Sequence, residues 1–339
     1  MSDGPVRVSV FGKTDLGRAR DHNEDTFLVA DLSTGNASLQ PDVRQHDIGP
    51  RGSLFMVADG MGGAVAGEVA SAMATDLIFR YLTTTWTEDA EVSADHFALR
   101  MKEAVEIANQ EIFRYAGEHP ELKGMGTTVT AAGVFGDHLY LTQIGDSRGY
   151  LVRGGQAIQL TKDQSLTQRL VDAGELTEEE AEQSERRNII LQALGPDAQV
   201  KVDLTHQTLR RGDMLILCSD GLSGLVRREE FALLTTAYPD LSDLCSALID
   251  LANQRGGPDN ITVVAVRFDG EGLRQPSESE GAGYRVYQPR NDEEAASEEP
   301  STPQSTVEPP SAPTVRLPTA LLVFLALLGL LVALLPLWR

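Results

Sequence analysis

Four strand-like runs in this sequence carry an aspartate at one end. Phe55-Met-Val-Ala-Asp59 stops at Gly60-Met-Gly-Gly63, and Met214-Leu-Ile-Leu-Cys-Ser-Asp220-Gly221 has the same shape. Leu139 to Ile144 runs into Gly145-Asp146, and Asp259-Asn260 stands directly before Ile261 to Val266. One Asp-Gly pair is ordinary turn chemistry, but four such ends describe strands that gather carboxylates at one rim of a sheet. Glu24-Asp25 adds two more acids just before the apolar run Thr26 to Ala30. The set is all oxygen, with no His pair at ligand spacing, so it suits Mg²⁺ or Mn²⁺ better than zinc. Two such ions roughly 3.5–4 Å apart acidify a water between them and neutralise a phosphoryl group under in-line attack. Asp59 is the expected bridging carboxylate, with the Gly60 carbonyl beside it because glycine lets backbone come close. Arg20, four residues before Glu24, is a candidate fork for phosphate oxygens. The competing reading of Arg20 is a surface residue paired with Asp21 or Glu24.

The elements that must hold these residues follow from periodicity. Val6 to Phe11 alternates as an opening strand, and residues 31–52, rich in Gly, Asp, Pro and Ser, read as a long polar loop. Val69, Ala70, Met73, Leu77, Ile78 and Tyr81 share one helical face, as do Phe97, Met101, Val105, Ala108, Ile112 and Tyr115, with Gly117 and Pro120 ending the second helix. Strands are expected over 127–135, 139–144, 149–152, 202–209, 214–218 and 261–268, and helices over 229–237 and 244–253. Residues 162–195 are charged and contain the capping box Thr177-Glu-Glu-Glu180, which predicts a short helical excursion over the sheet edge. Strands in runs between helix pairs indicate an α+β layered fold rather than alternating βαβ units.

Composition bounds the rest. With 29 Lys and Arg against 50 Asp and Glu, the chain carries a formal charge of -21 over 339 residues, which argues against nucleic acid as a partner. Bound cations would reconcile that charge with an anionic substrate. Two cysteines, Cys218 and Cys245, offer neither a disulfide framework nor a thiolate zinc site. The domains expected are a catalytic domain over 1–270, an acidic Pro/Ser-rich disordered linker over 271–316, and a transmembrane helix over 317–338. A linker of about 46 residues has a root-mean-square reach of roughly 40 Å. The start Met1-Ser-Asp-Gly-Pro-Val-Arg7 lacks the basic and apolar regions of a signal peptide, which places a single-pass protein's catalytic head in the cytoplasm.

Six stretches occur in the order and approximate spacing of one family. Arg20-x-x-Asn23-Glu24-Asp25, Val57-Ala58-Asp59-Gly60-Met61-Gly62-Gly63, Gly124-Met-Gly-Thr-Thr128, Gly145-Asp146-Ser147-Arg148, Ser219-Asp220-Gly221-Leu222 and Gly257-Pro258-Asp259-Asn260 make the chain resemble the type 2C metal-dependent serine/threonine protein phosphatases from about Val6 to Phe268. The resemblance implies a four-layer α-β-β-α sandwich of two antiparallel sheets, with a binuclear Mg²⁺/Mn²⁺ centre at one end. By that likeness Asp59 bridges both ions, Asp220 and Asp259 complete one shell, Glu24 and Gly60 serve the other, and Arg20 holds the substrate phosphate. A third ion can bind near Asp146 and Asp220, and residues 162–195 match a mobile flap. Two positions depart from the family: Met61 replaces the histidine that some members use as leaving-group acid, and Asp163-Gln164-Ser165 replaces the usual Asp-His-Ser.

The function implied is hydrolysis of phosphoserine and phosphothreonine on proteins, opposing a serine/threonine kinase at the membrane, by a monomeric catalytic domain. Two alternatives belong to other classes. A pseudophosphatase that binds phosphoproteins without turnover would show gaps in the ligand set, and none is visible. A two-metal nuclease shares the metal logic but not the charge balance.

Overall fold

The computed structural model describes residues 4–277 and 281–289. The chain opens with β1 (Arg7–Asp15), β2 (Asp25–Asp31), β3 (Asn36–Ala37), α1 (Pro41–Arg44), β4 (Gln45–Asp47) and β5 (Ser53–Met61). Two long helices follow, α2 (Ala64–Thr84) and α3 (Ala94–Glu118), and then β6 (Gly126–Thr127), β7 (Val129–Phe135), β8 (His138–Ile144), β9 (Arg148–Arg153) and β10 (Gln156–Gln159). The excursion holds α4 (Leu166–Asp172) and α5 (Glu178–Glu182), the latter opened by the expected Thr177/Glu180 capping box. β11 (Asp203–Thr208), β12 (Met214–Cys218), α6 (Asp220–Ser223), α7 (Arg228–Ala237), α8 (Leu241–Gln254) and β13 (Ile261–Asp269) complete it.

The strands form two antiparallel sheets, β10-β9-β12-β13-β1-β4 and β11-β8-β7-β5-β2-β3, with β6 paired to β5. Side chains alternate across a strand, and here both faces are apolar because each sheet is covered on both sides. Along β5, Leu54, Met56 and Ala58 pack under α2 and α3, whereas Phe55 and Val57 point between the sheets. Along β13, Val264, Val266 and Phe268 share that middle layer, while Ile261, Val263 and Ala265 pack with Leu244, Leu248 and Ile249 of α8. Three apolar layers therefore separate four layers of structure, helices, sheet, sheet, helices, as the sequence led us to expect.

The polar stretch 31–52 is not a plain loop. Val43 is buried, and β4 pairs Gln45 to Asp47 with Arg7 to Ser9 at the sheet edge. So short an edge strand has too few side chains to show a period of two.

Beyond Gly270 the described chain still packs. Leu273 is buried in the middle layer, Val286 bridges Thr205 on β11, and Tyr287 N–H donates to Leu204 O at 2.9 Å. The packed chain thus runs past the boundary expected at residue 270. Ending the chain at Gly270 rather than Pro289 should lower the melting temperature by roughly 5–10 °C, from the lost burial and hydrogen bonds. Equal melting of the two in calorimetry would show that the segment only rests on the surface.

Candidate metal centre

The acids meet where the two sheets end together. Phe55 and Val57 face the other sheet, so Asp59, next in that row, enters the cleft between them. Asp25 on β2 lies directly opposite Asp59 in the strand register. Asp146 follows β8 in the same sheet, whereas Asp220 and Asp259 come from the second sheet, after β12 and before β13. Asp25, Asp220, Asp146 and Asp259 lie close enough to Asp59 for their charges to add to the upward push on its carboxyl.

Uncharged side chains hold this rim. Asp59 is fixed by Thr128 Oγ1, which accepts from its N–H at 3.0 Å. Its carbonyl receives Thr127 Oγ1 at 2.9 Å and Thr128 N–H at 2.8 Å. Asp25 Oδ2 accepts from Ser219 Oγ at 2.8 Å, and the same Ser219 oxygen accepts from Thr262 N–H, which ties one sheet to the other. Asn260 clamps the loop that carries Arg20 and Glu24. Its Oδ1 accepts from Glu24 N–H, and its Nδ2 donates to Leu16 O and His22 O. The start of α2 comes close to the site at a glycine: a Cβ on Gly60 would stand 2.3 Å from Gly67 O, and one on Gly67 would stand 1.9 Å from Glu24 Oε2, while one turn on Ser71 Oγ donates to Glu24 O at 2.6 Å. Thr127 and Ser219 lie inside two of the quoted motifs but had no role assigned to them, and Thr262 and Gly67 stand outside all six. Their signal is weak, since a buried hydroxyl or a helix glycine resembles any other until its neighbours are known.

Every acid whose shift is resolved here titrates high. Burial, with repulsion from Asp220 and Asp259, pushes Asp25 up to about 7 against hydrogen bonds from Thr262 and Ser219. Burial and then Asp220 raise Asp146 to about 8. Burial lifts Asp59 well above the carboxylate range, with four neighbouring acids adding to it, and burial likewise raises Asp220 and Glu24. Such crowding of uncompensated carboxyls marks a functional site.

Arg20 pairs with neither Asp21 nor Glu24. Its Nη2 donates to Asp259 Oδ2 at 2.7 Å, with the side chain half exposed. Asp259 thus orients the fork and leaves its other nitrogens toward solvent.

Among the described residues no three Asp, Glu, His or Cys side chains close into a ready-made cation cage. Three of the acids turn to partners of their own, Asp25 to Ser219, Asp259 to Arg20 and Asp220 to Asp59. The residues nonetheless fit hard divalent ions. Asp25 Oδ1 and Asp146 Oδ1 are buried oxygens with no donor, the surrounding donors are all oxygen, and their summed charge calls for cations.

A two-sheet sandwich with helices on both outer faces and an all-oxygen acidic rim beside an arginine has the chemistry of a metal-dependent hydrolase of phosphate esters. The model of the protein phosphatase 2C family matches residues 35–255. The serine/threonine phosphatase stp of Listeria monocytogenes is 38% identical over 258 residues, which cover 76% of this chain and 94% of its own. Among solved structures, the serine/threonine phosphatase of S. agalactiae superposes with a TM-score of 0.66 at 34% identity, covering 77% of this chain and 99% of that one. The catalytic domain of serine/threonine protein phosphatase PstP, in complex with two manganese ions, superposes with a TM-score of 0.63 at 34% identity, covering 78% and 99%. The chain belongs to the protein phosphatase 2C family.

Proposed function

We propose that this chain hydrolyses phosphoserine and phosphothreonine in proteins with two Mn²⁺ or Mg²⁺ ions held by Asp59, Asp220, Asp259, Glu24 and the Gly60 carbonyl, and Asp146 available to a third. The observation that carries this reading is the convergence of carboxylates from both sheets on one rim, two of them with buried oxygens that no protein donor reaches. When bound, the ions lower the pKa of water and neutralise phosphoryl charge. Arg20 receives the phosphate oxygens while Asp259 holds its Nη2. Water oxygen bonds to phosphorus, the P–O bond to the seryl or threonyl oxygen breaks, and that oxygen takes up a proton. Met61 at the rim has none to give. The family, the intact ligand set and the manganese complex of PstP support this over binding without turnover. Purified full-length chain should release phosphate from phosphoserine and phosphothreonine peptides when Mn²⁺ is present and not after chelation. No release in either condition refutes it.

Arg20→Ala should raise KM for a phosphopeptide about tenfold with a smaller effect on kcat, since the fork serves binding. Arg20→Lys should recover only part, because a point charge cannot hold Asp259 and a phosphate edge together. Full recovery by lysine would remove the fork from the reading.

The head is proposed to work at the cytoplasmic face of a membrane, on substrates that a serine/threonine kinase supplies. The apolar run 317–338 supports a single span. It lies outside the described residues, and among those no helix is long and apolar enough to cross a membrane. Two buried free thiols suit a reducing compartment. Protease added to spheroplasts should leave the head intact, and its removal would reverse the orientation.

A further inference from the structure

We propose that Gln164 is a positioning residue that ties the excursion 162–195 to the turn carrying Asp146, so that the placement of this carboxylate depends on the seating of the excursion. The turn 145–147 crosses from β8 in one sheet to β9 in the other, and so lacks a ladder of its own. Gly145, at φ 99, makes the bend. Both of its backbone groups go to Gln164: Gly145 N–H donates to Gln164 Oε1 at 3.0 Å, and Gln164 N–H donates to Gly145 O at 2.8 Å.

The remaining polar groups of Gln164 are also used. Its carbonyl accepts from Leu191 N–H on the returning arm of the excursion at 2.8 Å, and its Nε2 donates to Lys201 O ahead of β11 at 3.3 Å. One residue therefore joins both arms of the excursion, the approach to β11 and the Asp146 turn. Gln143 braces the turn from the buried side, donating through Nε2 to Gly145 O and Ser147 O and accepting from Lys162 N–H. Asp146 Oδ1 has no protein donor of its own, so the direction of this carboxylate is set by the turn's backbone. A histidine, usual at position 164 in the family, could accept from Gly145 N–H through one ring nitrogen.

This inference rests on the phosphatase reading, and the test separates the two. Gln164→Leu in the full-length chain should raise the Mn²⁺ concentration for half-maximal thermal stabilisation about tenfold, the scale of losing an outer partner of a metal ligand. The half-maximal Mn²⁺ for p-nitrophenyl phosphate turnover should move with it, while KM changes less. Gln164→His should return both toward the parent and carries the test if the leucine variant does not fold. Parent-like Mn²⁺ responses in Gln164→Leu, or an equal loss in Gln164→His, would overturn the proposal. An inactive parent chain that still binds Mn²⁺ would sink the phosphatase reading and leave this one standing.

Discussion

Asp59→Asn should lose at least roughly 10³-fold in kcat/KM, the scale expected when several kcal/mol of charge stabilisation at phosphorus is withdrawn. Asp59 closes the row Phe55, Val57, Asp59 in the cleft, lies opposite Asp25 in the register, and feels Asp25, Asp220, Asp146 and Asp259 together. No other acid is so central, so none can take its place when one oxygen becomes an amide. The fold should survive, because Thr127 and Thr128 hold this residue through its backbone. The metal-free variant should even melt higher than the parent at neutral pH, since a buried amide avoids the cost that folding at that pH places on a carboxyl with a raised pKa. A variant that keeps a tenth or more of parental turnover at saturating Mn²⁺ would move the bridging role elsewhere. One that loses both turnover and metal-free stability would make Asp59 a structural residue.

The same contrast explains what could be read before the fold was known. Acids at strand ends are legible because the sequence changes character abruptly there: Phe55 to Ala58 is apolar, and Asp59 is not. The layered fold is legible for a related reason, since β5, β12 and β13 are buried on both faces and read as continuous apolar runs. Long-range partners are not legible. That Arg20 would choose Asp259, 239 residues away, over its neighbours Asp21 and Glu24 depends on Asn260 folding the 16–24 loop back against β13. Gln164 hides in the same way. Glutamine in a charged segment looks like solvent-facing chain, and its four hydrogen bonds exist only once β8, β11 and the excursion come together. The short pieces β3, β4 and α1 escape for want of length.

Stability against pH gives the other large effect. Asp25 and Asp146 titrate at about 7 and 8 in the folded protein against a usual 3.8, and Asp59, Asp220 and Glu24 are shifted the same way. Folded carboxyls with raised pKa hold protons that the unfolded chain has already released, so between about pH 4 and 8 the folded state binds more protons and unfolding free energy falls as pH rises. Their contribution is intact below the unfolded value and lost as pH climbs through the folded one. Acids shifted downward act on the other side: Glu230, held at about 2 chiefly by Arg255, contributes stability above its unfolded value that is lost in acid. The metal-free protein should therefore be most stable near pH 5 and melt roughly 10 °C lower at pH 8, taking 2–4 °C per kcal/mol for a domain of this size. Mn²⁺ should reverse the trend, because cations compensate the very charges that pH exposes, and its binding at pH 7 should release protons. Calorimetry of chelated and Mn²⁺-loaded protein at pH 5.5, 7 and 8 checks both limbs, and titration in buffers of different ionisation enthalpy counts the protons. Asp146→Asn should flatten the metal-free curve. A chelated protein that melts as high at pH 8 as at 5.5, with no proton release on adding Mn²⁺, would mean that the rim acids are already ionised and compensated by the protein itself, and the cation requirement inferred from their crowding would fall.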